Sequence, residues 1–403
     1  MNQQFRLDVK EPKLVCLIIM SAFASMGAVL MAPALPEITQ YFNVTEGQSQ
    51  LTITLFLVGY ALGQLIYGPL ANRFGRKPAF YIGIVIATLG SIFSIISSPI
   101  HSFTLLLIGR LFEALGSSAG LIISFTIIAD FYYPKQSRRI IAYMMMAFAI
   151  VPGVAVFIGG FIAQYLNWES CFYFLLIYGF VLVYPAYILP ETILHLDHSA
   201  TKIKRINRNY REVFSNSALV RYSVIFGCSA ILTYVFSADG PFIGIHYLGF
   251  SAANYGMLAL LPTLGMLIGA ILSAQMTTRY SSRQLINLGM GCEAVGALIM
   301  LVLFLLHIVT MVTMLVPMAL IYFGHAYVGG NSASSAIYFA IDKANGSAVM
   351  NFIGMTMTVI GTFALAMIPE KLPFIMPSLF LAGLFLMLIM QLSLKHRVIE
   401  ADN

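Results

Sequence analysis

Twelve apolar runs separated by short polar stretches make up most of this chain of 403 residues. They fall at about 14-36, 49-71, 79-98, 103-129, 140-166, 171-189, 222-248, 255-276, 285-306, 311-339, 347-368 and 374-394, each near the roughly 20 residues that a bilayer core demands. The polar stretches carry an equally regular pattern, because basic residues sit on alternate loops. One set of loops and both termini hold Arg6, Lys10, Lys13, Arg73, Arg76, Lys77, Lys135, Arg138, Arg139, the central Lys202, Lys204, Arg205, Arg208, Arg211 and Arg221, then Arg279, Arg283, Lys343, Lys395 and Arg397. That is 20 of the 22 cations; the opposite loops keep only Lys371, and Arg110 lies inside a run. Cation-rich loops stay in the cytoplasm, so both termini are expected there. The expected fold is an all-α membrane protein of twelve transmembrane helices.

Composition agrees, since 59% hydrophobic and 9% charged residues leave too little polar surface to cover a soluble protein of this length. A net charge of +6 raises nucleic acid as a partner. The cations are spread over loops beside spans rather than gathered on one face, so the lipid bilayer explains them and no nucleic acid is expected. Cys16, Cys171, Cys228 and Cys292 show no paired spacing, which fits neither a disulfide framework nor a metal site. Ala22-Phe23-Ala24 imitates a signal-peptidase site. Cleavage there would halve the run reaching Pro33, so 14-36 is read as a retained first span.

The longest polar stretch, 190-221, separates six runs from six and suggests two pseudo-symmetric halves, 1-189 and 222-403, joined by a cytoplasmic loop. Pro36 precedes Arg73 by 37 residues and Pro241 precedes Arg279 by 38, in similar apolar surroundings. Small residues cluster in matching places, Gly116 to Gly120 in span 4 and Gly329 to Ser335 in span 10, where they permit close helix packing. Paired halves with a midplane site between them are a common plan for secondary carriers. No Gly-x-x-x-x-Gly-Lys-[Ser/Thr] sequence occurs, and no extramembrane piece is large enough for a nucleotide-binding fold.

Between spans 2 and 3 the chain reads Gly68-Pro69-Leu70-Ala71-Asn72-Arg73-Phe74-Gly75-Arg76-Lys77-Pro78. Its glycines permit a tight turn, and its cations anchor the loop at the cytoplasmic face. The segment resembles the signature loop of the major facilitator superfamily. Further matches resemble its Bcr/CflA group of drug/proton antiporters: Pro33 to Pro36, Leu57 to Leu65, Gly109-Arg110 with Ala114-Leu115-Gly116, Leu189-Pro190-Glu191-Thr192, and Gly346-Ser347-Ala348. The resemblance implies the major facilitator fold and a conformational switch at Gly68, Asn72, Arg73, Gly75, Arg76 and Lys77. Departures stand beside it. Asn72 replaces the signature Asp, which removes a negative charge that Asp130, beside Arg138 and Arg139, is expected to supply in part. Ala155 and Val156 interrupt the span 5 motif that Pro152 and Gly159-Gly160 retain, Val29 stands where span 1 usually carries an acid, and Glu113 stands where span 4 often has Gln.

Four ionisable residues fall deep in predicted spans: Arg110, Glu113, Asp239 and Glu293. Each costs about 2.5–3.5 kcal/mol at a helix centre, so a partner or a task is the default expectation. Arg110 and Glu113 share one face of span 4 with Ser117. They are read either as a pair holding span 4 to its neighbours or, as the resemblance implies for the Arg, as a switchable pair lining a central cavity. Asp239 precedes Gly240-Pro241, where a helix gives up backbone hydrogen bonds, and His246 lies on the same face. The two are expected near a proton path from the outer side. Glu293 is expected to be structural, because span 9 is peripheral in the resembled fold. His325 shares a face with Tyr322 and Gly329, and Phe23, Met26, Phe148 and Tyr234 are cavity candidates from their midspan positions.

Together these readings point to a secondary carrier with no cofactor, monomeric, in a bacterial inner membrane. The expected function is proton-coupled export of lipophilic neutral or cationic small molecules by alternating access. The rival reading is a carrier of one metabolite or siderophore, favoured by the missing span 1 acid and opposed by the single intramembrane cation. No nucleophile–base or metal constellation suggests an enzyme.

Overall fold

The computed structural model describes residues 11–193, 195–340, 342–369 and 372–394, excepting the side chains of 134, 135, 138, 139, 142, 145 and 148. Span 1 is Leu14–Phe42, span 2 Glu46–Phe74, span 3 Arg76–Ile96, span 4 Phe103–Phe131, span 6 Glu169–Ile188 and span 7 Ser217–Tyr247. Span 8 is Ala252–Met276, span 9 Ser282–Leu305, span 10 Met311–Tyr338, span 11 Lys343–Met367 and span 12 Ile375–Ser393. These 11 are long and apolar enough to cross a membrane. Span 5 is the 32-residue helix Pro134–Tyr165, whose described apolar stretch is Ala149–Tyr165.

Several helices outrun the apolar segments that predict them, because capping chemistry rather than hydropathy sets their ends. Span 2 starts three residues before its apolar run, at a reciprocal Thr45–Gln48 capping box, and Ser281 with Gln284 does the same for span 9. Proline breaks matching helices. Span 1 passes through a 3-10 turn at Ala32–Ala34 before resuming at Leu35, and span 7 passes at Pro241 into a π turn over Phe242–Tyr247.

The two sets of six helices pack alike. Span 4 lies between spans 2 and 3 as span 10 lies between spans 8 and 9. A Cβ at Gly116 would fall 2.2 Å from the backbone nitrogen of Ala87, and one at Gly324 would fall 2.5 Å from the Gly289 carbonyl, so close helix approach demands glycine at both. The loops entering spans 4 and 10 each turn on a left-handed histidine, His101 (φ 53°) and His307 (φ 59°). Between the sets, span 2 packs on span 11 and span 5 on span 8.

The segment between spans 6 and 7 contains the helix Ile203–Phe214, whose Tyr210 and Val213 are buried while its charged residues face outward. Tyr210 donates to the Leu65 carbonyl of span 2 at 2.8 Å, which seats the helix across the ends of the spans. On the same segment Ser199 and Arg205 hold the Asp197 carboxylate below the usual aspartate range.

Candidate functional site

Helical periodicity turns Arg110, Glu113 and Ser117 of span 4 toward spans 1 and 2. Arg110 and Glu113 are fully buried, joined by a 2.8 Å ion pair from Nη1 to Oε2. Arg110 Nη2 donates to the Gly27 carbonyl at 2.7 Å, and Nε reaches the Thr52 carbonyl at 3.4 Å. Gly27 is in the last turn before span 1 breaks, so its carbonyl is open to a side-chain donor. The guanidinium also lies over Phe56, 4.3 Å from the ring centre, and 5.8 Å from that of Phe172. Arg110 thus ties span 4 to spans 1, 2 and 6. Glu113 keeps one oxygen, Oε1, with no hydrogen-bond partner among the described residues. Ser117 is satisfied within its own helix by the Ala114 carbonyl.

The cavity candidates separate. Phe23 is 2% exposed and meets Tyr178 of span 6 edge-on at 5.1 Å, so it packs within the first six helices rather than between the halves as expected. Its midspan depth was legible, but its direction around span 1 depends on packing. Phe148 has its side chain outside the described residues. Met26 is half-buried, as is Tyr234. Tyr234 belongs to a group that bridges the two sets of helices: Tyr60 of span 2 neighbours it beside Gln64, and Tyr322 of span 10 neighbours it beside Ser237. Tyr255 of span 8 lies near both Tyr322 and Asp239. Sequence reasoning passed over Tyr60 and Gln64 as a cavity wall although both lie in the quoted family segment of span 2.

His325 is joined to Glu293, the acid expected to be merely structural. Ser229 Oγ lies 2.7 Å from His325 Nδ1 and donates to Glu293 Oε1.

At the face opposite the basic loops, Gln50 of span 2 donates to Asp239 Oδ1 at 2.9 Å, and His246 Nδ1 lies 3.0 Å from Glu46 Oε1. Asp239 and His246 therefore each engage span 2. Both line a cleft of about 310 Å³ with Phe242, Ile243 and Tyr247. Nearby, Gly47 packs against the Ala366 carbonyl of span 11.

At the basic face, the span 2–3 loop is the centre of a polar cluster. Gly75 caps span 2 at φ 102°. Arg76 Nε pairs with Asp130 Oδ2 at 2.9 Å and its Nη1 donates to Asn72 Oδ1 at 2.8 Å. Asp130 also accepts from the Thr192 hydroxyl at 2.8 Å. Glu191 receives the backbone N–H groups of Arg76 and Lys77, each at 3.0 Å, so its charge caps the N-terminus of span 3. Lys77 Nζ donates to the Tyr187 carbonyl at 2.8 Å, and Arg73 donates to the Thr201 hydroxyl. Gly68 differs from expectation: it is helical, and a Cβ there would meet nothing within 4 Å, so neither a turn nor close approach requires glycine. Glu191 is the member that sequence reasoning missed. It was visible only as part of a family segment, with no local pattern to reveal a partner more than a hundred residues away.

The sequence profile of the Major Facilitator Superfamily matches residues 17–365. Multidrug resistance protein D of Escherichia coli is 28% identical over 314 residues, covering 77% of each chain. The bicyclomycin resistance protein homolog of Haemophilus influenzae is 24% identical over 280 residues, 68% of this chain and 69% of that protein. Among solved structures, the xylose transporter of E. coli in a partially occluded inward open conformation superposes with a TM-score of 0.74 at 12% identity, covering 96% of this chain and 98% of that one.

Proposed function

Because the chain belongs to the major facilitator superfamily, we propose that this multi-pass membrane transporter expels lipophilic neutral or cationic compounds from the cytoplasm in exchange for protons. Its residence is the bacterial inner membrane, as a monomer with both termini and the basic loops on the cytoplasmic side. Residues 1–189 and 222–403 act as two halves that rock about a cargo site between them, with 190–221 as their tether. Glu113 carries the exchanged proton. Arg110 switches the pair, and Asp239 lies on the outer proton path. Met26, Tyr234 and its tyrosine neighbours, and His325 line the cargo site, an aromatic wall suited to lipophilic compounds.

The observation that carries this reading is the fully buried Arg110–Glu113 pair with Glu113 Oε1 unpartnered among the described residues. A buried acid next to a movable cation can exchange ion-pair partner for proton when the cation shifts. The resistance proteins among its relatives support the cargo class. Proteoliposomes given an imposed pH gradient and supplied with external tetraphenylphosphonium or chloramphenicol test it. Accumulation against the probe's own gradient, abolished when a protonophore removes the pH difference, is expected. Transport indifferent to that difference would sink proton exchange and leave the single-metabolite carrier as the better reading.

The basic-face cluster is the conformational switch in this scheme, with Asn72, Arg73, Arg76, Lys77 and Asp130 locking loop, span 4 and tether together. Asn72→Asp would turn the Arg76–Asn72 hydrogen bond into a charge-assisted one, worth about 1 kcal/mol more, or roughly fivefold in the conformational equilibrium. Distances between spin labels on the two halves should redistribute by that factor. Superimposable distributions in the two proteins would make Asn72 a neutral replacement.

A further inference from the structure

Arg110 and Glu113 do not account for all the buried titratable chemistry in the spans. Glu293 of span 9, Ser229 of span 7 and His325 of span 10 meet from three separate helices, with Ser229 Oγ donating to Glu293 Oε1 and lying 2.7 Å from His325 Nδ1. Glu293 and Ser229 are fully buried whereas His325 is half-buried. The three groups therefore run from a partly exposed imidazole to a sealed carboxyl.

Among the described residues, nothing around Glu293 neutralises it. Among the described residues it has no salt bridge, and its Oε2 has no hydrogen-bond partner. The other titratable groups near it are the thiols of Cys228 on span 7 and Cys292 on span 9, with Tyr327 of span 10 near Cys292. None of these supplies a positive charge. The space for Glu293 is made by Gly324, where a Cβ would fall 2.9 Å from Glu293 Cγ. An apolar residue would fill this site without the cost of burying a polar group, so helix packing alone does not explain an acid here.

We propose that Glu293, Ser229 and His325 form a second proton-binding site, a relay across three helices of the C-terminal half that is independent of Glu113. A hydroxyl between a carboxyl and an imidazole can reverse both of its hydrogen bonds. In the deprotonated state His325 carries its proton on Nδ1 and donates to Ser229 Oγ, which donates to the Glu293 carboxylate. A proton arriving at His325 Nε2 makes an imidazolium. The Nδ1 proton then passes to Ser229 as the Ser229 proton passes to Glu293 Oε1. The product is a neutral His325 protonated on Nε2 and a neutral Glu293 acid, with one proton taken up. The glutamic acid now donates to Ser229, and Ser229 donates to Nδ1. The site thereby stores a proton and removes a buried charge, on spans 7 and 10 that also carry Tyr234 and Tyr322.

Infrared difference spectra of the purified transporter in a lipid film, recorded through a pH jump, read carboxylic acids directly and need no cargo. Glu293→Gln is expected to lose one titrating carboxylic-acid band, distinct from the band lost in Glu113→Gln. Ser229→Ala and His325→Phe keep the carboxyl but should slow the appearance of its band by about a hundredfold. Glu293→Asp keeps a carboxylic acid but draws it back from Ser229 by one methylene, and should shift the band's frequency. A titration unchanged in Glu293→Gln overturns the site; should that variant not fold, an unshifted band in Glu293→Asp overturns it. A band that appears as fast in both Ser229→Ala and His325→Phe as in the natural protein overturns the relay. Loss or survival of the Glu113 band bears only on Glu113, so the two proton sites stand or fall separately.

Discussion

Glu113→Gln is expected to abolish pH-driven accumulation of cargo while leaving exchange of cargo for cargo across the same vesicles intact. The amide keeps the size of the side chain and can still accept from Arg110 Nη1, now at 2.8 Å from Glu113, but it cannot take up a proton. Arg110 retains its bonds to the Gly27 and Thr52 carbonyls, so span 4 stays fastened to spans 1 and 2. The variant does leave a buried cation without a counter-charge. Breaking a buried pair costs about 3–5 kcal/mol, and thermal unfolding in detergent should show that loss. This makes the two roles of the pair separable. If Glu113 serves only to stabilise Arg110, exchange and uphill transport decline together as folded protein is lost. Carriage of the proton instead removes the uphill mode in protein that still exchanges. Asp239→Asn should have the smaller effect on coupling, because its neighbour Gln50 can still donate to the amide oxygen at that position. Uphill pumping at the natural rate by Glu113→Gln would move the proton site elsewhere, with Asp239 and the Glu293 site the next to test.

The contrast between this pair and the rest of the site explains what the sequence could reveal. Twelve helices were legible because a bilayer imposes length and apolarity on each span. The break in span 7 was legible because Pro241 removes a donor wherever it stands. Arg110 and Glu113 could be joined on paper because residues three apart share a helix face. No such rule links spans 7, 9 and 10, so Ser229, Glu293 and His325 gave no sign of meeting. Glu293 was discounted from the position of its helix in the fold, whereas its side chain faces inward toward Ser229. Phe23 failed for a related reason: depth along a span follows from sequence, but rotation about the helix axis depends on its neighbours. Asp239 and His246 were correctly set on one element, yet their partners, Gln50 and Glu46, belong to the other half of the molecule.

Gly75→Val is expected to cut transport by about 5- to 150-fold with cargo affinity unchanged. Gly75 sits at φ 102°, and a Cβ would fall 2.7 Å from Glu191 Oε2 and 3.3 Å from Pro78 Cδ. A branched residue in that conformation carries about 1–3 kcal/mol of strain, and relieving it must push Glu191 away from the Arg76 and Lys77 N–H groups it caps. Asp130, Arg76 and Asn72 are linked to the same turn. The strain is therefore delivered to the cluster as a whole and falls on whichever state of the transporter keeps it assembled. No cargo candidate shares this loop, which is why equilibrium binding should survive. Gly68→Ala supplies the control, since a Cβ there meets nothing within 4 Å and the helix is already formed. Transport should remain near the natural level in that variant. Equal damage from both substitutions would defeat the argument from available space. A parallel loss of affinity and transport in folded Gly75→Val protein would instead assign the loop to cargo binding.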